Sequence, residues 1–178
     1  MTDAGRRLPI DGSLFFKLVR VVNLTARPFV ETLSKTHQLS LNEWRAMVVL
    51  ASHPGVAARE IAEHTGLDKM SVSRAVAALD RRGRIRKEPH PTDARRTRLW
   101  LSASGRKLFE TIGALAAVRE RQLFGGIGAA ELAAMDKTLE RLLAALKSSQ
   151  GDPALPGNLN PRGGRAGRAR PWGHSEAE

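Results

Sequence analysis

The feature that most constrains this chain is an amphipathic run held between two glycines and followed at once by a dense basic segment. Gly66 and Gly83 bracket the run, and Val72, Val76 and Leu79 recur within it at i, i+4 and i+7. That spacing puts the three side chains on one helical face, which has to be buried. Glycine is the natural left-handed stop for a helix, and Asp68 stands where its carboxylate can cap the first turn. A shorter helical segment, "AREIAEHTG", comes just before. Its start is weaker, because Ala57 offers no capping side chain, although Glu60 can reach back to a free backbone N–H. The expected order is helix, tight turn, helix from about Lys69 to Arg82.

The basic segment after Gly83 narrows the possibilities further. "RIRKEP" favours a short strand around Ile85, and in "TRLWL" the residues Thr97, Leu99 and Leu101 face one way while Arg98 and Trp100 face the other. Two short strands around a loop of about eight residues make a hairpin. From Arg81 to Arg98 there are eight basic residues against Glu88 and Asp93. Helix, turn, helix and hairpin, in that order, make a winged helix, whose second helix fits the major groove of DNA.

The outward face of that helix carries Lys69, Met70, Ser73, Arg74 and Ala77. Small side chains let the backbone approach a duplex. Ser71 and Ser73 can bond phosphate or base edges, and Arg74 can pair in bidentate fashion with guanine or a phosphate. Lys69 lies near the helix start, where the macrodipole also favours an anion. At the hairpin, Arg95 is expected to probe a narrow minor groove, with Asp93 aiming it and Arg96 and Arg98 meeting phosphates.

The flanks read as long helices. An apolar face containing Leu14, Leu18, Val21 and Val22 runs from about Ser13 to Thr36, and Pro28 predicts a kink or break near Leu24 to Arg27. Ser40 and Glu43 make a capping box ahead of Trp44, Met47, Val48 and Ala51, and "HPG" at 53 to 55 stops that helix. Ser102 caps a long helix to about Phe124, with Leu108, Ile112, Leu115 and Ala116 on one stripe. "GGIG" breaks it, and a last helix runs from about Ala129 to Ser148.

Composition sets outer limits on this picture. The chain has 178 residues, no cysteine and a formal charge of +11. A disulfide scaffold and a Cys-ligated zinc site are excluded, and the field attracts polyanions. The segment from Gly151 is rich in Gly, Pro and Arg but nets only one positive charge, so the basic character belongs to the body. Lys17, Arg20 and Arg27 interrupt the opening apolar run, which fits neither a secretory signal nor a membrane span; the expected address is the cytoplasm. The histidines at 37, 53, 64, 90 and 174 form no H-x-x-x-H, and no P-loop, G-x-S-x-G or G-x-G-x-x-G occurs. No metal, cofactor or catalytic residue is expected.

Residues 66 to 105, "GLDKMSVSRAVAALDRRGRIRKEPHPTDARRTRLWLSASG", resemble the core of the MarR family of bacterial transcription regulators. The D-A-R of Asp93 to Arg95 matches the family's wing signature, "LSASG" the start of its fifth helix, and "LNEWRAMVVL" its second helix. Arg84 departs from the pattern, standing where an apolar residue is commoner, which loosens the wing base or adds a phosphate contact. The resemblance implies a mostly α (α+β) fold over 12–148: a DNA-binding lobe at about 39–101 and dimerisation helices at about 13–36 and 103–148. Residues 1–11 are expected to be a flexible N-terminus and 149–178 a disordered tail. Leu14, Leu18, Val22, Leu132, Met135, Leu139, Leu142, Leu143 and Leu146 are the candidate interface of a homodimer, since a small core cannot cover such broad apolar faces. The resemblance also implies an effector pocket, near Trp44, Arg45 and Met47, suited to a small anionic aromatic molecule. The expected function is a ligand-responsive repressor on a palindromic operator of double-stranded DNA; the alternative is a constitutive architectural DNA-binding protein without an effector.

Overall fold

A computed structural model describes residues 13–149, apart from the side chains of Phe29, Val30, Thr32, Leu33, Ala94, Arg95 and Ser149. The expectations for the first residues and for the tail lie outside that range. The chain divides into two units, one running to Glu120 and the other starting at Arg121.

The first unit opens with α1 (Leu14–His37), whose N-terminus is capped by the Ser13 hydroxyl, which accepts from the Phe16 N–H at 3.3 Å. Pro28 lies inside this helix and does not break it. A proline forfeits one backbone bond, and the turns on either side carry the helix through. Gln38 ends it in the left-handed conformation, φ 47°. The expected capping box starts α2 (Leu41–Ser52): the Glu43 N–H donates to Ser40 Oγ at 3.2 Å and the Ser40 N–H to Glu43 Oε2 at 3.0 Å.

Helix α3 (Ala58–Thr65) starts without a side-chain oxygen at Ala57, and Glu60 Oε2 accepts the Ala57 N–H at 2.9 Å instead. Gly66, at φ 68°, closes it. Helix α4 (Lys69–Arg81) comes next, capped by Asp68. It buries Val72, Ala75, Val76, Ala78 and Leu79. These join Leu39, Met47, Leu50, Ile61, Leu99 and Ile112 in one core. Burying an aliphatic side chain of this size contributes about 1.5–3 kcal/mol, so the periodic face of α4 is what holds the helix in place.

Strands β1 (Ile85–His90) and β2 (Asp93–Leu101) pair antiparallel, from Ile85 opposite Leu101 to His90 opposite Asp93, with an irregularity at Pro89/His90. The hairpin is longer and its turn tighter than expected, because pairing extends to Asp93 rather than ending near Thr97. Leu99 also bridges Val56: the Leu99 N–H donates to the Val56 carbonyl at 3.0 Å, and the Gly55 N–H to the Leu99 carbonyl at 2.8 Å. The wing base is therefore sewn to the α2–α3 connection. Helix α5 (Ala103–Phe124) is capped by Ser102 and buries Ile112, while Leu115 is exposed.

The second unit contains α6 (Ala129–Ser149), started by the Gly128 N–H donating to Glu131 Oε2 at 3.1 Å. Met135, Leu139, Leu142, Leu143 and Leu146 are exposed on it, at 39–61%; Leu132 is half-buried. Among the described residues no helix is long and apolar enough to cross a membrane.

Candidate nucleic-acid interface

Because α4 buries one face, the other is presented outward. Lys69, Met70, Ser73 and Arg74 are exposed there, and Ala77 is half-buried. A chain of hydrogen bonds sets the position of Arg74. Asp68 Oδ1 accepts the Ser71 N–H at 2.8 Å, Ser71 Oγ donates to Asp68 Oδ2 at 2.6 Å, and Arg74 Nη2 donates to Ser71 Oγ at 3.4 Å. The Ser71 hydroxyl, then the Ser71 backbone N–H, hold the Asp68 carboxyl below its ordinary pKa. Ser71 is thus engaged in aiming Arg74, whereas Ser73 stands outward.

Two grooves flank the α4 ridge. One, of about 400 Å³, includes Ser40, Asn42, Ser71, Arg74, Ala77 and Arg81. Glu43 also lines it, but its carboxylate is taken up by the Ser40 N–H and by Arg82 Nη1 at 3.1 Å. Glu43 is 5% exposed, and its bond to Arg82 ties the start of α2 to the end of α4. The other groove, of about 500 Å³, lies between α3, α4 and β1, and includes Arg59, Ala62, Lys69, Ser73, Ala77 and Lys87. Sequence reading missed Asn42, Arg81 and Lys87 as groove residues. Arg81 and Lys87 belong to the basic run, but which way each points depends on tertiary packing.

The wing residues divide. Arg98 is turned back onto its own wing: its Nε donates to the Gly55 carbonyl at 3.1 Å and its guanidinium lies 4.9 Å from the Trp100 ring. Arg86 stacks on the same ring at 5.0 Å and pairs with Glu88. Through these contacts Arg98 braces the wing against the α2–α3 connection. Arg96 is exposed, with Glu60 Oε2 4.0 Å away. Asp93 and the backbone of Arg95 lie on β2; the Arg95 side chain lies outside the described residues, and with it the aiming of Arg95 by Asp93.

Arg84 has a different place from the one expected. Its Nη2 donates to the His37 carbonyl at 2.5 Å and its Nη1 to the Gln38 carbonyl at 3.2 Å. Those carbonyls end α1 and have no helical partners of their own. The Arg84 backbone bonds in two more directions, its N–H to the Leu79 carbonyl and its carbonyl from the Ser102 N–H. Burial lowers the guanidinium pKa below its ordinary value; Arg82 adds to this and Glu43 opposes it. Two of the five guanidinium N–H donors are thus engaged at the end of α1, which braces the wing base against that helix.

Of the expected effector residues, Met47 is fully buried in the core and committed to packing. Trp44 is half-buried and stacks on Phe109 at 5.3 Å, and Arg45 Nη1 donates to Asn42 Oδ1 at 3.5 Å. Leu14, Leu18 and Val22 of α1 are exposed at 77%, 43% and 53%. Among the described residues no group of three His, Cys, Asp or Glu side chains forms a metal site.

Comparison with known proteins agrees with this architecture. The sequence pattern of the MarR family matches residues 37–96. A putative transcriptional regulatory protein for the hcr operon of Thauera aromatica is 29% identical over 94 residues, 53% of this chain. The chain spans about half the length of the curated relatives it matches, 57% and 52%. Among solved structures, a MarR/EmrR family transcriptional regulator from Acinetobacter superposes with a TM-score of 0.73 at 26% identity, covering 79% of this chain and 99% of its own. CouR from Rhodococcus jostii, solved bound to p-coumaroyl-CoA, has a TM-score of 0.68 at 23% identity, covering 77% and 96%.

Proposed function

We propose that the chain, whose residues 37–96 match the pattern of the MarR family, is a sequence-specific DNA-binding transcription regulator that acts as a dimeric, ligand-responsive repressor. One observation carries the reading: an exposed helix ridge with a cation-bearing groove on each side. A helix in a major groove about 12 Å wide has a phosphate strand on either flank. Arg74 and Arg81 line one groove; Lys69 lines the other, beside Arg59 and Lys87, which pair with Glu63 at 2.8 Å and Asp80 at 2.6 Å, so each strand would meet positive charge. Ser73 and Arg74 would then face base edges. Arg95, with Arg96 beside it on the wing, would reach the adjacent minor groove, and Asp93 would orient Arg95.

Residues 39–101 would form the reading lobe, with 13–36 and 103–148 as dimerisation helices. Exposed Leu14, Leu18 and Val22 support this in the first unit, and Met135, Leu139, Leu142, Leu143 and Leu146 in the second; Leu132 would join them. Apolar side chains left in water forgo about 25 cal/mol per Å² that a second copy would recover. A two-fold dimer reads an inverted repeat. Effector binding near Trp44 and Arg45 would favour a conformation whose two ridges are wrongly spaced, releasing the operator. A small anionic aromatic fits the basic surroundings, and the structural relative CouR binds an aromatic acyl thioester.

The test is selection of duplexes from a random pool by the purified protein, then titration of the selected site with phenolic acids and their thioesters. A palindromic consensus released by one such ligand is the expected outcome. Equal affinity for all duplexes, unmoved by any ligand, would replace the repressor by an architectural protein.

A further inference from the structure

We infer that Met70 reads thymine, by apolar contact with its 5-methyl group, and so sets part of the site preference. The inference rests on the proposed function, in which α4 enters the major groove. Among the described residues from Leu39 to Leu101 the large apolar side chains are buried or half-buried, except Val48, exposed at 38%, and Met70, at 64%. Met70 is the second residue of α4, and Ser73 and Arg74, three and four residues on, share its face. Helical side chains lean toward the N-terminus of their helix. Met70 therefore extends past the end that, in a recognition helix, meets the base edges.

The surroundings decide what it touches. Lys69 and Arg74 flank it, the latter held by Ser71. Two flanking cations suit a polyanion better than the apolar face of another protein. In the major groove the pattern of donors and acceptors is interrupted by one apolar group, the thymine methyl. A thioether is apolar, polarisable and able to adjust its shape. Neither Ser73 nor Arg74 can make that contact, and Ala77, the other apolar side chain of the face, is short and half-buried, so Met70 is the apolar group that reaches furthest from the ridge.

The experiment replaces thymines of the selected duplex one at a time by deoxyuridine, which lacks only the methyl group, and measures binding of the wild type, Met70→Ala, Met70→Leu and Met70→Gln. Far-ultraviolet circular dichroism checks that each variant is folded. At one symmetry-related position the wild type should lose about fourfold per methyl removed, the worth of one buried methyl group. Met70→Leu should keep that loss; Met70→Ala and Met70→Gln should bind thymine and uracil duplexes equally there. A wild type indifferent to every substitution, or a Met70→Ala variant that still discriminates fully, would overturn the assignment. Failure of the wild type to bind any duplex would instead overturn the placement of α4 on which it rests.

Discussion

Arg84 is where a single residue changed meaning between sequence and structure. In sequence it is one cation in a basic run; in space its guanidinium spans the carbonyls of His37 and Gln38. The bonds it makes are 46 and 47 residues apart in sequence, and no local pattern announces such a pair. Arg84→Ala should lower stability by about 1–2 kcal/mol, since charged donors to carbonyls are involved and the group is partly exposed. Urea denaturation would measure it. Arg84→Lys should not restore it, because an ammonium cannot span two carbonyls as a fixed fork does. The dependence of duplex binding on salt should keep its slope in both variants. A slope reduced by about 0.9 would return Arg84 to the phosphate contacts. Asp68 gives the second prediction at this scale. Its pKa is lowered in the fold, so its contribution is fully present above the ordinary carboxylate value and fades as pH falls through the lowered one. Asp68→Ala should therefore be less stable than the wild type at neutral pH, and the two should converge on strong acidification. A gap that persists at the lowest pH would mean the carboxylate charge is not what caps α4.

Among the elements, the helices were readable because their signals are local. Ser40 with Glu43, Asp68, and the glycine at 66 each act within one turn, and the structure uses all of them as caps. The wing was readable in kind but not in extent. Strand pairing is decided by partners far along the chain, and the bridge between Val56 and Leu99 has no counterpart in the periodicity of either segment. Of the kink or break expected at Pro28, the break does not occur, for the complementary reason: propensity is local, and a long helix overrides it. The join between the wing and α5 depends on close approach. A Cβ at Gly105 would stand 1.9 Å from the Arg84 carbonyl oxygen. Gly105→Ala should cost about 1–3 kcal/mol through overpacking, read as a fall in the urea midpoint at unchanged m-value; an unchanged midpoint would show that the junction can shift freely. On the wing itself, Arg95→Ala should weaken binding to the selected duplex more than tenfold with the fold intact. Unaltered affinity would remove the wing from the interface.

Over the whole molecule, charge and apolar exposure act together. The net +11 sets a long-range attraction to polyanions, and the basic run from Arg81 to Arg98 concentrates it beside α4. Charge alone gives affinity without register. In the proposed reading, register would come from the ridge with its two grooves in each copy and from the symmetry relating two copies. The first was foreshadowed by the periodic face of α4. The second rests on exposed Leu14, Leu18 and Val22 in one unit and on exposed Leu139, Leu142, Leu143 and Leu146 in the other, two apolar faces of the kind a second copy would cover. Hydroxyl-radical footprinting of the purified protein on its selected duplex tests both at once. The account predicts two equal protected patches related by a dyad, centred about one helical turn, roughly 34–36 Å, apart. A single isolated patch, or uniform cleavage even at low salt, would contradict it.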